Sequence, residues 1–533
     1  MIVAELSFKF LAMASPWEAW LNRCLKTLSE ASLLRSLRPL FPQPSEMEAC
    51  TADSTKAFGT IIGDLQTFDG LGPWDRSAVE FEISRPTFQR WFNELPSSGD
   101  EICSSDLALD YASGLSAELG HKMLLFSGND YLGLSTHPSV RQAASKAAIE
   151  FGMGPRGSAL VCGYTYLHRS LESAIADLKK TEDCLLCPTG FAANMAVMTA
   201  VTTVVSHAAE ADGQDIVAIF SDALNHASII DGIRLSRRQR KTEFEVYRHC
   251  DVDHLNQLLS NCKHERKVVV TDSLFSMDGD FAPLVELVAL RKKYNFLLVI
   301  DDAHGTLLCG ETGGGVAEAL NVEGEVDIVV GTLSKAIGCQ GGFIACSRKW
   351  KQLIQSRGRS FIFSTALPVP VVAAAHAAIL VAQEEKWRQR VVWERVSQLA
   401  NATGFHFTSP IAPIIFYTEE RALAASRSLM LAGFHVSAIR PPTVPKHSSR
   451  LRITLTAAHT ANDVEALAAA LLPWIQERSV SLTRPSSEKI SDVTRSVASV
   501  RYKGVPQAEK TIGENNQSLP FKDWLTEDIR AKL

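Results

Sequence analysis

The sequence predicts an α/β protein with a mainly parallel sheet in a large domain, followed by a smaller α+β domain. Between Lys122 and Leu367, strand-length apolar runs rich in Val, Ile, Leu and Phe alternate with helical patterns, as a parallel sheet covered on both faces requires. After Leu367 the alternation gives way to a long helical stretch and a few short strands. A chain of 533 residues also exceeds what one hydrophobic core serves, so two lobes with appendages are expected.

In chain order, residues 17–41 place apolar side chains at helical spacing and end in Arg35, Arg38 and Pro39, which predicts an amphipathic first helix within an N-terminal region 1–49. Residues 50–119 have a looser pattern, with Ser/Gly-rich patches and isolated aromatics at Trp74, Phe88 and Trp91, and are read as an insertion without an assigned role. The large domain, 120–366, holds the strand runs DCLLCP, DIVAIF, EFEVYRH, KVVVTDSLF, FLLVIDDAH, DIVVGTLSK and GGFIACS, with FAANMAVMTAV, DHLNQLLSN and PLVELVALRKKYN as helices between them. The smaller domain, 367–476, opens with a helical stretch reaching about Ala400 and continues with strands at PIIFYT and RLRITLT. Residues 477–533 are polar and aperiodic and read as a flexible tail.

Composition narrows the function. Hydrophobic residues make up 46% and charged residues 21%, ordinary values for a soluble fold, and a net charge of -5 argues against a nucleic-acid partner. The apolar stretch from Leu367 to Ala382 carries two prolines and His376 and is too short to span a membrane. Glu5 and Lys9 interrupt the apolar N-terminus, so no secretory signal is expected. Eleven scattered cysteines fit a reducing compartment, and Cys184 and Cys187 read as two buried core thiols rather than a metal pair. The ending Ala531-Lys532-Leu533 has the small-basic-leucine form that a peroxisomal import receptor reads, with an ordinary chain end as the equal alternative; the expected location is peroxisomal, cytosolic or both.

Ligands of an open parallel sheet bind beyond the carboxyl ends of its strands, so polar residues that terminate apolar runs are the candidates for chemistry. Asp301, Asp302 and His304 end one run; Thr332, Ser334 and Lys335 end a second; Ser276 follows a third and His226 a fourth. A lysine in such a place loses hydration, and a Schiff base with an aldehyde cofactor is the chemistry that explains it. Asp301, on a different strand end, is the carboxylate that pyridoxal chemistry needs beside the pyridine nitrogen. LLCPTGFAANMAV runs from a strand through Thr189-Gly190-Phe191 into a helix whose free N–H groups suit a phosphate.

DSLFSMDGD, DDAHGT, TLSKAIGCQGG, NHASIIDGIR and SGNDYLGLSTHP together resemble the α-oxoamine synthases over about Phe126 to His459, as does the LLRSLR of the opening segment. That resemblance implies a type I aminotransferase-like fold, pyridoxal 5'-phosphate as cofactor, and condensation of an amino acid with an acyl thioester with loss of carbon dioxide. AIRPPTVP, with Arg440 and Thr443, places the chain with the member that joins L-alanine to a pimeloyl thioester on coenzyme A or a carrier protein. The resemblance makes Lys335, His226 and Asp301 catalytic; it gives Gly190, Phe191, His226, Ser276, Asp301, His304, Thr332, Lys335 and Thr365 to the cofactor and Arg35, Arg440, Thr443 and Arg452 to substrate. Thr365 is assigned to the neighbouring subunit's phosphate, which implies a homodimer with shared sites. GMGPRGSALVCGY departs from the family's glycine-rich run, since Pro155 and Arg156 stiffen and charge the loop. The alternatives are a glycine-using member, of the ketobutyrate-ligase or aminolevulinate-synthase type, and a non-catalytic regulatory subunit, whose mark would be loss of the lysine.

Overall fold

The computed structural model describes residues 16–38, 65–94, 121–154, 156–202, 216–239 and 242–476. Two short strands come first, β1 (Glu80–Ile83) and β2 (His121–Leu125). The main sheet follows: β3 (Asp183–Cys187), β4 (Val217–Asp222), β5 (Thr242–Tyr247), β6 (Arg266–Asp272), β7 (Leu297–Asp301), β8 (Ile328–Thr332) and β9 (Gly342–Cys346). The smaller lobe adds β10 (Ile411–Tyr417), β11 (Phe434–His435), β12 (Ser437–Ile439) and β13 (Ser449–Thr454).

The seven-stranded sheet has the order β3-β9-β8-β7-β6-β4-β5. All neighbours are parallel except β9, which runs antiparallel to both β3 and β8. Every position of β3, β4, β7, β8 and β9 is buried, because helices cover both faces; the edge strand β5 instead alternates exposed and half-buried positions over most of its length. Successive residues feed opposite cores. Leu298 and Ile300 pack into one cluster with the helices Tyr166–Lys179 and Val369–Glu384, while Leu297 and Val299 pack into the other with the helix Gly190–Val201. Cys184 and Cys187 are buried free thiols in β3, one on each face.

Three readings of the sequence are corrected. The first helix spans Pro16–Glu30 and stops well short of residue 41. Ser32 adopts a left-handed φ of 57°, and the Leu33 and Leu34 N–H groups both return to the Leu28 carbonyl, closing the helix. The stretch after Leu367 is two helices, Val369–Glu384 and Trp387–Thr403, broken where Glu385 turns its carboxylate onto Arg388. The first of them packs in the large core against the helix Pro138–Phe151, so the smaller lobe's own core begins later, with Val396, Leu399 and Phe407, and reclaims Phe126 from upstream.

The segment 65–94, read as an insertion without a role, joins the two lobes. β1 pairs antiparallel with β2, which pairs parallel with β11, and the helix Arg85–Glu94 brings Phe88 and Trp91 against Met430. On the large-domain side Asp75 accepts from Arg388 Nη1 at 2.7 Å, and Glu385 accepts from the Phe68 N–H at 2.7 Å and lies 3.2 Å from His137 Nε2. Arg76 Nη1 reaches Asp463 of the last helix at 2.6 Å.

Candidate active site

Sheet register assembles the site. Asp272 pairs with Asp301 across β6 and β7, and Asp301 pairs with Val330 across β7 and β8, so Asp272, Asp301 and Thr332 end three adjacent parallel strands on one face. That face carries the helix Gly190–Val201, whose Asn194 donates Nδ2 to Asp301 Oδ2 at 2.6 Å and to Ser228 Oγ at 2.9 Å. Ser228 Oγ in turn lies 2.7 Å from His226 Nδ1. Asp301 is thereby tied to the helix below it and to the histidine at the mouth, and its other oxygen accepts the Ala303 N–H at 2.9 Å. Asp302, one residue on, necessarily faces the other way: it pairs with Lys179 Nζ at 2.7 Å in the opposite core and accepts from Ser273 Oγ at 2.6 Å. Of the two neighbouring aspartates, only Asp301 belongs to the site.

Lys335 lies in the turn after β8 and is half-buried. Burial lowers its ammonium to about 8, against the opposing pull of the Asp301 and Asp272 carboxylates. Asp272 is buried beside Asp301, and burial together with that like charge pushes its carboxyl well above the usual range. At neutral pH the site therefore holds an amine of which a usable fraction is uncharged and a carboxyl inclined to keep its proton.

A second cluster adjoins the first. Tyr131 Oη lies 2.8 Å from Nδ1 of the buried His304. Arg452, from β13 of the smaller lobe, donates Nε to the Ser276 carbonyl at 2.6 Å and both terminal nitrogens to Asn129 Oδ1 at 3.3 Å, with Ser276 Oγ at 3.4 Å from Nη2. Burial, with the cations of Lys335 and Arg452 close by, holds His304 well below the ordinary histidine range, so it is neutral.

The third part is a strand-to-helix turn. Thr189 caps the helix Gly190–Val201 by accepting the Ala192 N–H at 3.0 Å, and the first N–H groups of the helix, those of Gly190 and Phe191, have no carbonyl one turn earlier to bond. A Cβ on Gly190 would stand 3.2 Å from Thr332 Cβ, and one on Gly342 would stand 2.3 Å from the Thr189 carbonyl oxygen, so glycine at both places lets the turn sit directly against β8 and β9. Thr332 Oγ1 is 2.7 Å from Ser334 Oγ and donates to the Gly341 carbonyl at 2.9 Å. This is a cradle for an anion beside an amine-bearing turn, which fits the phosphate and aldehyde ends of pyridoxal phosphate, with Asp301 available to the ring nitrogen.

Of the residues expected from sequence, Lys335, Asp301, His226, Ser276, His304, Thr332, Gly190, Phe191 and Arg452 are brought to this end of the sheet. Arg35, Arg440, Thr443 and Thr365 are exposed, and among the described residues none is hydrogen-bonded or ion-paired to the others. Arg35 is held by its backbone to Gln355 and Ser356, Arg440 faces Glu419 at 3.7 Å, and Thr365 bridges to Ser158. Arg156 has a left-handed φ of 61°, and Pro155 and the Ala531-Lys532-Leu533 ending lie outside the described residues. Asn129, Tyr131, Asn194, Ser228 and Asp272 were missed. Asn129 and Tyr131 stand within SGNDYLGL, Ser228 within NHAS and Asp272 before SLFS, so the motifs held them, but nothing in their residue type singled them out.

Fold and site together define a pyridoxal-phosphate-dependent enzyme, and the chain belongs to the aminotransferase class I and II family, whose sequence model matches residues 121–471. Among curated proteins it is 58% identical over 460 residues to the 8-amino-7-oxononanoate synthase of Arabidopsis thaliana, covering 85% of this chain and 94% of that one. It is 44% identical over 367 residues to the 8-amino-7-oxononanoate synthase of Anaeromyxobacter dehalogenans, covering 68% and 88%. Among solved structures it is similar to a serine palmitoyltransferase of Sphingomonas wittichii, with a TM-score of 0.61 and 31% identity over 66% of this chain and 87% of that one. A further serine palmitoyltransferase, determined with PLP, matches at 30% identity with the same TM-score and the same coverage of each chain.

Proposed function

We propose that this chain condenses L-alanine with a pimeloyl thioester, releasing carbon dioxide and free thiol, to give 8-amino-7-oxononanoate. The observation that carries the reading is the lysine of lowered basicity standing with Asp272 and Asp301 at the strand ends, next to a helix N-terminus opened by Gly190; the 58% identical relative, an 8-amino-7-oxononanoate synthase, supports the product. Bound pyridoxal phosphate supplies an electron-withdrawing ring that acidifies the α-carbon of an attached amino acid and takes up the charge left by decarboxylation.

The protein does the rest. Lys335 Nζ would hold the cofactor's aldehyde carbon, and the burial that lowers it to about 8 in the empty site would suit it to move a proton to or from the substrate α-carbon near neutrality. Asp301, anchored by Asn194, would keep the pyridine nitrogen protonated, and His226 would cover the ring face. The Gly190 and Phe191 N–H groups with Thr332 would hold the phosphate, while Ser276 and His304 would address the ring oxygen. Arg452, aligned by Asn129 and the Ser276 carbonyl, takes the amino-acid carboxylate. Arg35, Arg440 and Thr443 stay assigned to substrate.

The reading includes a second copy of the chain. Thr365 is exposed, and so are the apolar Val161 and Phe363, on the segments that flank its bridge to Ser158, at 82% and 69%. Light scattering should return twice the chain mass of 58.3 kDa; the single-chain mass would remove Thr365 from its role. The activity itself is tested by thiol release from pimeloyl-coenzyme A with alanine or glycine as the amino acid. Release with alanine alone is expected. Release with glycine in preference would move the chain to a sister reaction while keeping the site.

A further inference from the structure

We propose that Tyr131 is a positioning residue that fixes His304 as the tautomer with hydrogen on Nε2, so that this histidine meets the cofactor's ring oxygen as a donor; the proposal deepens the reading above and rests on it. Tyr131 is fully buried and burial pushes its phenol up to about 12, so it keeps its one hydrogen throughout the working range. Two acceptors lie in reach: His304 Nδ1 at 2.8 Å and Asn129 Oδ1 at 3.4 Å. The second is long for a hydroxyl donor, and Asn129 Oδ1 already receives N–H groups from both terminal nitrogens of Arg452. The Tyr131 hydrogen therefore goes to His304, which requires a lone pair on Nδ1.

His304 is neutral in this environment, so only one of its ring nitrogens carries hydrogen. With Nδ1 accepting, that nitrogen is Nε2, which has no protein partner among the described residues. The reverse tautomer would turn a lone pair toward an oxygen that is itself electron-rich, and would orphan the buried phenol hydrogen. Tyr131 is held to the task from both sides. Its carbonyl accepts the Ala457 N–H at 2.8 Å, and its ring meets the His304 ring edge-on at a centroid distance of 6.0 Å.

The test uses full-length protein carrying ring-labelled histidine, with the His304 signal assigned by its loss in His304→Asn. In cofactor-free wild type, nitrogen shifts should report hydrogen on Nε2, and in Tyr131→Phe, which preserves the ring contact, they should report a mixture or the reverse tautomer. Hydrogen on Nδ1 in wild type, or an unchanged tautomer in Tyr131→Phe, would overturn the proposal, and the wild-type measurement stands even if the variant fails to fold. In the loaded enzyme Tyr131→Phe should lower kcat by roughly ten-fold with KM for alanine within about two-fold, as loss of one buried hydrogen bond between neutral groups, at the upper end of its usual worth, implies. Equal loss through KM would place Tyr131 in substrate binding instead and overturn the positioning role. The nitrogen shifts do not depend on which amino acid or thioester is used, so they separate this proposal from the choice of substrates.

Discussion

Lys335 costs the empty protein stability, and the sign of that cost is testable. Its pKa falls from the ordinary lysine value near 10.4 to about 8 on folding, so between those two values the unfolded chain binds more protons and stability rises with pH. Below about 8 the full cost is present, on the order of 1–3 kcal/mol. Cofactor-free Lys335→Met should therefore melt higher than wild type at pH 7, with the gain shrinking toward pH 10; calorimetry at the two pH values checks this, and the same variant should have no turnover. Asp301 is the complementary case. Asp301→Ala should keep the bound cofactor's visible absorbance, because phosphate and lysine contacts remain, while turnover falls by about 100-fold or more. Near-normal turnover would take Asp301 out of its assigned role.

Among the secondary-structure elements, the turn between β3 and the helix Gly190–Val201 is where packing and binding depend on the same atoms. Gly342 is the third glycine of TLSKAIGCQGG and the first residue of β9, and a Cβ there would stand 2.3 Å from a backbone oxygen rather than from a flexible side chain that could move. Gly342→Ala should push the turn off β9, with overpacking of about 1–3 kcal/mol felt at the phosphate end. That corresponds to roughly ten-fold or greater loss of cofactor affinity, readable by equilibrium dialysis. Strand alternation also explains a limit of reading the sequence. FLLVIDDAH places two aspartates at a strand end, and β-structure sends one to each face, so Asp301 reaches Asn194 while Asp302 is committed to Lys179. Period two says the pair must part. Which of them meets the cofactor depends on which face carries the helix Gly190–Val201.

Across the whole molecule, the segment 65–94 ties the lobes together, and its ion pair with Arg388 is buried. Arg388 and Asp75 are both 0% exposed and 2.7 Å apart, with Glu385 on the other side of the guanidinium. Asp75→Ala should remove one partner of a buried pair and lower stability by about 3 kcal/mol or more, visible as a lower melting temperature in calorimetry. No change in melting temperature would mean that the segment rests on the protein without bracing it. Because Arg452 enters the site from the smaller lobe while Lys335 and Asp301 come from the larger one, this brace also sets how the two halves of the site meet.

The sequence by itself determined the alternating strands and helices, the mainly parallel sheet, and the residues standing at its strand ends, because periodicity, apolar content and terminal polar residues are local properties. It also held, inside recognisable motifs, most of the side chains that gather around Lys335. Tertiary structure decided what local patterns do not encode. Register placed Asp272 beside Asp301; neighbouring helices chose the face for each aspartate and so found Asn194. The burial that lowers Lys335 and neutralises His304 comes from packing of distant segments, and desolvation has no signature in a residue's own neighbourhood. The same reason hid the role of residues 65–94: a helix break at Glu385 and a loosely patterned stretch around Asp75 acquire meaning only when Arg388, more than three hundred residues downstream of Asp75, is folded between them.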